Sequence, residues 1–394
     1  MNLFRNLLLA SAMAFAPIAT ASCQQIPPAS ASWADKSAIV PFELFRGNRV
    51  VAAGTINGQP VDFVLDTGAG ITTVDRDYAR SIGLSKGQVV SAQGVGGTVE
   101  AELVPDVSLT IGGLKLDKAT VMVIDLANVS KGIGRPVPVV LGRELFDNAI
   151  VTLDWNASQM TVARPDGFVP PAGATLVELG RGGDRLNTIP VSIDGAPPVD
   201  AHFDLGSGSA LTLPKRYWES QPSLARLPFA NSEAGGVGGM HGTRLVTVRK
   251  VTIAGKTFTS VPTNLSESKS GHAVDQPNVG IGLLKPFRMT MDLGRDRIFL
   301  EPLANPPAFQ RDRAGVRTEL TPAGLDLVFV SPQSPAAAAG LKKGDRLVAI
   351  DGRAIGGDFF QGPAGSWNQR AAGEKVDLAL ADGRHVTLTL ADYY

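Results

Sequence analysis

Two short segments carry residue types able to do chemistry. Asp66 closes the apolar run Phe63-Val64-Leu65 and is followed by Thr67-Gly68-Ala69; Asp204 closes Ala201-His202-Phe203 and is followed by Leu205-Gly206-Ser207. Two carboxyl groups held about 3 Å apart cannot both ionise, so one stays protonated as an acid while the other serves as a base. Their titration then belongs to the pair. That division suits hydrolysis of an amide, in which a water must become nucleophilic and a nitrogen must become a leaving group. Gly68 and Gly206 let the chain turn tightly beneath each carboxyl. Other chemistries lack their residues. The histidines His202, His241, His272 and His385 are scattered without a His-Glu-x-x-His pattern, and no Gly-x-Ser-x-Gly elbow occurs. Gly255-Lys256-Thr257 copies the tail of a phosphate-binding loop, but Lys250 stands where its first glycine belongs. No metal and no cofactor is implied.

The elements that must position the two aspartates come in duplicate. Ile56-Asn57-Gly58-Gln59-Pro60 precedes the first motif, and Ile193-Asp194-Gly195-Ala196-Pro197 the second. Gly94-Val95-Gly96-Gly97 returns as Gly236-Val237-Gly238-Gly239, and Leu109-Thr110-Ile111-Gly112-Gly113 as Val251-Thr252-Ile253-Ala254-Gly255. Val140-Leu141-Gly142 then pairs with Gly280-Ile281-Gly282, and Thr152-Leu153-Asp154 with Thr290-Met291-Asp292. An ordered repeat of this kind means two homologous units, at 41–165 and 172–303. Within each, apolar residues alternate in short runs between Gly, Asn-Gly and Asp-Gly turns, the pattern of strands. Helix signals are brief, and the clearest are Val74–Ile82 and one turn near Arg143–Phe146.

An apolar strand ending in Asp-Thr-Gly-Ala, a Gly-rich hairpin and an apolar-apolar-Gly triplet, present twice, resemble the pepsin/retropepsin-like aspartic proteases over about two-thirds of the chain. The resemblance implies a mainly β fold with two retropepsin-like β-barrel lobes and a catalytic dyad of Asp66 and Asp204. It also implies a peptide or protein substrate. Two flaps follow from it, at Gly94–Gly97 and Gly236–Gly239, which admit a peptide and then close over it. In this family a hydroxyl after each aspartate crosses between lobes and braces the dyad. Thr67 can supply one, whereas Leu205 cannot, and Ala69 has no hydroxyl to match that of Ser207, which could reach the outer oxygen of Asp204. The rival reading is a noncatalytic peptide-binding protein with a degenerate second lobe.

Beyond Pro302 a Pro-rich stretch to Pro307 reads as a linker. Val328–Pro332, Ser334-Pro335-Ala336, an alanine run closed by Gly340, and Ile350-Asp351-Gly352 then resemble a PDZ domain of the bacterial protease type at 315–394. In that family an apolar-Gly-apolar loop captures a peptide's C-terminal carboxylate while the chain adds as a strand. The corresponding stretch is Gly324-Leu325-Asp326-Leu327, with an acid where a small residue is expected. The N-terminus, with Arg5, an apolar stretch from Leu7 to Ile18 and small residues after it, reads as an export signal over 1–22. The expected location is the bacterial periplasm. Cys23 is the only cysteine; either it is a bystander to cleavage or it is acylated, since Ala21-Ser22-Cys23 resembles a lipoprotein signal and implies a lipid anchor. Residues 23–40 are Pro/Ala/Ser-rich and read as a tether. Lys+Arg and Asp+Glu are equal at 37 each, so no basic excess exists to neutralise phosphates, and nucleic acid is excluded as a partner.

Overall fold

The computed structural model describes residues 27–268 and 276–394. The stretch read as an export signal, Cys23 and His272 lie outside them. Strands dominate, arranged in sheets of 14, eight and six strands. In the N-terminal half, Arg49–Ile56 and Gln59–Leu65 form a hairpin through the Asn57-Gly58 turn, in which both residues have positive φ. Gln59–Leu65 then runs parallel to Val139–Leu141, so Asp66 emerges beside Gly142. The same arrangement follows further on. Asn187–Ile193 pairs with Val199–Asp204, and the latter runs parallel to Asn278–Gly280. Each half also has a long hairpin, Gln88–Gly94 with Gly97–Ile111 and Ala230–Gly236 with Gly239–Ile253.

The halves share one sheet where Ile150–Asp154 pairs antiparallel with Phe287–Asp292. Thr152 and Thr290 face each other there with hydroxyl oxygens 2.9 Å apart. Antiparallel pairing centred on two equivalent residues is a local two-fold relation. The separation of these threonines, 138 residues, equals that between Thr67 and Leu205. Trp155 also crosses the seam, its indole N–H donating to the Phe287 carbonyl at 2.6 Å. The apolar core runs continuously through both halves, with Phe63, Leu65, Phe146, Phe203, Leu205 and Phe287 all buried. Helices are brief, as the sequence suggests: Arg76–Ser81, capped by the Asp75 carboxylate, and Arg143–Asn148.

Two stretches read as linkers are in fact fixed. Ser30–Trp33 pairs with Leu114–Asp117, and Ser37 already belongs to a strand running to Phe45. The open edge of Leu114–Ile124 offers backbone partners that composition does not reveal, and Trp33 adds an apolar anchor against the core. After Pro302, Phe309 packs on the core, Gln310 donates to the Arg46 carbonyl at 2.8 Å, and Arg311 reaches Thr247 at 2.8 Å.

The C-terminal module is a six-stranded sheet ordered Val316–Thr321, Gly324–Val330, Arg346–Ile350, Lys375–Leu380, His385–Thr389, with Arg353–Ala354 beside the third strand. Ser334 caps the helix Pro335–Ala338, accepting from the Ala337 N–H. The module shares an apolar cluster with the N-terminal half, in which Phe45, Val64 and Leu126 meet Phe359, Phe360 and Trp367. The Arg46 guanidinium lies 4.0 Å above the Phe360 ring.

Candidate active site

Asp66 and Asp204 each stand at the end of a strand whose parallel neighbour supplies a glycine, Gly142 or Gly280. The two carboxyl groups meet within hydrogen-bonding reach of one another. Neither Gly68 nor Gly206 has positive φ, so tight turning is not why glycine is needed. The reason is close approach: a Cβ on Gly68 would lie 2.9 Å from the Asp204 carboxyl carbon, and one on Gly206 would overlap the Asp66 carboxyl group. Each glycine thus makes room for the opposite aspartate.

The Thr67 hydroxyl crosses between the halves. It donates to the Phe203 carbonyl at 2.8 Å and accepts from the Leu205 N–H at 3.0 Å, and all three residues are buried. The reciprocal bond has no hydroxyl to make it, because Leu205 fills its position with apolar side chain. Ala69 holds its loop by backbone alone, accepting from the Arg143 N–H at 3.1 Å.

The donors around the two carboxyls differ. Asp66 accepts from the Gly68 N–H at 2.8 Å. Asp204 accepts from the Ser207 N–H at 3.0 Å and from the Asn278 side-chain amide at 2.6 Å. The Ser207 hydroxyl, expected on the outer oxygen of Asp204, pairs instead with the Ser209 hydroxyl at 3.0 Å, which continues to Thr212. Asn278 takes that outer place because its strand runs parallel to the one ending in Asp204, directly alongside. Desolvation, then the charge of Asp204, pushes the Asp66 carboxyl up to about 8 from the ordinary 3.8, against the pull of the Gly68 N–H and the Arg49 guanidinium. Burial and the neighbouring charge thus favour the protonated form of Asp66, while two donors face Asp204.

Sequence reasoning missed Arg49 as well as Asn278. Arg49 opens the strand leading back to the site, lies against Gly208, and its guanidinium is close enough to feel both carboxylates. Nothing local marks either residue. Aligning the two halves does, once Gly280 is matched to Gly142, the glycine beside the other aspartate, two residues from the Val140 match expected from the sequence: Asn278 then falls opposite Val140, and Arg49, aligned on the turns at Ile56 and Ile193, opposite Leu186.

The two Gly-rich hairpins meet at their tips. The Gly96 N–H donates to the Val237 carbonyl at 2.8 Å, and Gly94 abuts the Val237 side chain. Val95 is exposed, next to Gly236. Gly238, at φ 93°, lies so close to the backbone of Gly97 that no side chain fits, and Gly239 closes its turn at φ 116°.

The stretch expected to capture a peptide carboxylate does not have a free edge. Gly324-Leu325-Asp326-Leu327 pairs with Thr318–Thr321 on one side, and Leu325-Asp326 with Arg346-Leu347 on the other. An added strand has no place there. Asp326 is engaged too, its carboxylate accepting from Arg346 at 2.5 and 3.1 Å. Among the described residues no group of three or more potential metal ligands occurs, and no helix is long and apolar enough to cross a membrane.

Comparison with known families fits this geometry. A family model described as aspartyl protease matches residues 52–145, which contain Asp66 and the first Gly-rich hairpin, and one described as PDZ domain matches residues 330–359. The chain therefore combines an aspartyl protease-like domain with a PDZ domain. No curated protein matches it.

Proposed function

We propose that the chain is an aspartic endopeptidase built from two fused lobes, with Asp66 and Asp204 as its dyad. The observation that carries this reading is the reciprocal packing of each motif glycine on the opposite aspartate, with the carboxyls in hydrogen-bonding reach. A water between them loses a proton to the Asp204 carboxylate as its oxygen bonds to the peptide carbonyl carbon, while protonated Asp66 gives its proton to the carbonyl oxygen. Collapse of the tetrahedral species breaks the C–N bond, the nitrogen leaving with the proton taken up by Asp204 while a hydroxyl of the tetrahedral carbon returns its proton to Asp66 and becomes the new carbonyl. The hairpins joined at Gly96 and Val237 serve as flaps that part to admit a chain and then exclude bulk water. The PDZ module contributes recognition of a peptide or protein partner. The leader at 1–22 directs export to the periplasm, with Cys23 as a point of lipid attachment.

The test compares wild type with Asp66→Asn and Asp204→Asn on a peptide library from acid to neutral pH, each checked for monomeric mass. Cleavage by wild type, abolished in both variants, is the expected outcome. Full activity in monomeric Asp204→Asn reduces the second lobe to scaffold. No cleavage by wild type at any pH establishes the noncatalytic peptide-binding reading, which the buried, hydroxyl-free Leu205 favours.

A further inference from the structure

Between the N-terminal half and the PDZ module lies a cavity of about 210 Å³. Its polar lining consists of Arg46, Asn48 and Arg49 from one side and Arg317, Thr318 and Asn368 from the other, with no acidic residue. Arg317 is already occupied, by Glu233 at 3.0 Å and Glu319 at 3.5 Å. Arg46 and Arg49 have no carboxylate within ion-pair distance among the described residues. The Arg46 guanidinium stacks on Phe360 and donates to the Ile133 carbonyl at 3.3 Å; that of Arg49 donates to the Asn48 carbonyl at 2.7 Å. Two recessed cations without an ion-pair partner in the cavity, close enough to repel, are costly unless an anion comes to sit between them.

We propose that this cavity is a carboxylate-binding subsite, selecting peptides that carry a carboxylate near the scissile bond. The proposal rests on the proteolytic reading above and names its substrate class. Three further features support it. The turn bearing the arginines is held from behind, with Lys285 donating to the Gly47 carbonyl at 2.6 Å and Gln310 to that of Arg46 at 2.8 Å. The donors are thus in place before a ligand arrives, which lowers the cost of binding it. Arg49 adjoins both places, lining the cavity and acting on both dyad carboxylates, so a chain lying over the dyad reaches the cavity within a few residues. Finally, burial and the neighbouring Arg49 charge push the Arg46 guanidinium down to about 10, a strain that a bound anion would relieve. The carboxylate has two possible sources, an Asp or Glu side chain or the peptide's own C-terminus.

The experiment takes one decapeptide that the enzyme cleaves and varies it. One arm places Glu or Gln at each position around the cleaved bond; the other truncates the peptide stepwise beyond that bond, each length made as the free acid and as the amide. Wild type is expected to prefer the carboxylate at one position or one length by about tenfold or more in kcat/KM, the scale of a charge-assisted hydrogen bond. In Arg46→Met that ratio falls towards one. A flat Glu/Gln and acid/amide profile in wild type overturns the proposal, as does a preference that survives Arg46→Met. Because Arg46 packs on Phe360, the same peptides are also titrated onto full-length Asp66→Asn protein, whose arginines are intact. There the carboxylate peptide should bind about tenfold tighter than its neutral partner. Equal binding refutes the subsite even if proteolysis stands; tighter binding without any cleavage by wild type leaves the subsite standing and removes the protease.

Discussion

Replacing Thr67 by Val tests whether the single crossing hydroxyl holds the two halves together. Valine matches threonine in shape, so the change removes a donor and an acceptor with little loss of packing. Two backbone groups lose their partner: the Phe203 carbonyl, 2.8 Å from the hydroxyl, and the Leu205 N–H, 3.0 Å from it. Phe203, Leu205 and Thr67 are each no more than 1% exposed, so water cannot take over either bond. A buried group left unsatisfied costs about 1–3 kcal/mol, and two of them give a destabilisation of roughly 2–6 kcal/mol. Thr67→Ser keeps the hydroxyl and loses one methyl group, a change of about 1 kcal/mol. Urea unfolding followed by tryptophan fluorescence measures both, read at the transition of the aspartate-bearing halves. If Thr67→Val and Thr67→Ser lie within about 1 kcal/mol of each other, the hydroxyl is not a structural brace and the argument fails.

Two further outcomes follow from the same geometry. Asp66 has a folded-state pKa of about 8 against 3.8 for an ordinary aspartate, so the native state holds a proton that the unfolded chain has released anywhere between those values. Unfolding free energy should therefore fall as pH rises through this window, and Asp66→Asn should remove that slope; a denaturant midpoint in wild type that does not move between pH 4.5 and 8 contradicts it. Phe360→Ala deletes a buried ring between Phe359 and the Arg46 guanidinium, and should cost about 3–5 kcal/mol and expose the 303–315 connection to limited proteolysis; unchanged resistance there means the PDZ module is held by other contacts.

What could be read in the sequence is what repeats. The paired motifs, the Gly-rich hairpins and the Thr152/Thr290 segments are local patterns. Their shared order carries three-dimensional information, because equivalent residues must meet across a two-fold relation if the halves fold alike. The short helices were legible for the same reason, being bounded by local signals such as the Asp75 cap. What could not be read depends on partners distant in sequence. Ser30–Trp33 is a strand only because an edge awaits it. The PDZ stretch at 324–327 has loop-like composition, yet its pairing on both sides is decided by residues 316–321 and 346–350.

The site shows the same division at higher resolution. Repetition points to the carboxyls, and it is the departures from repetition that make them unequal. Asn278 replaces a valine beside Asp204, adding a donor that Asp66 lacks, while Leu205 replaces a hydroxyl residue and leaves the crossing bond to Thr67 alone. Both changes fall in the second half, and both act on the same pair. An identical pair would have no reason to treat its members differently; here desolvation and the Asp204 charge raise the Asp66 carboxyl, and Asn278 gives Asp204 a donor that Asp66 lacks. Arg49 adds a third asymmetry, contributed by the first half, since a cation near both carboxylates favours the singly ionised pair over the fully protonated one. Under the proposed function, this asymmetry would assign one carboxyl as acid and the other as base. The asymmetry of the second motif is therefore an argument for a working dyad as much as for a degenerate copy, and the two Asp→Asn variants separate those meanings.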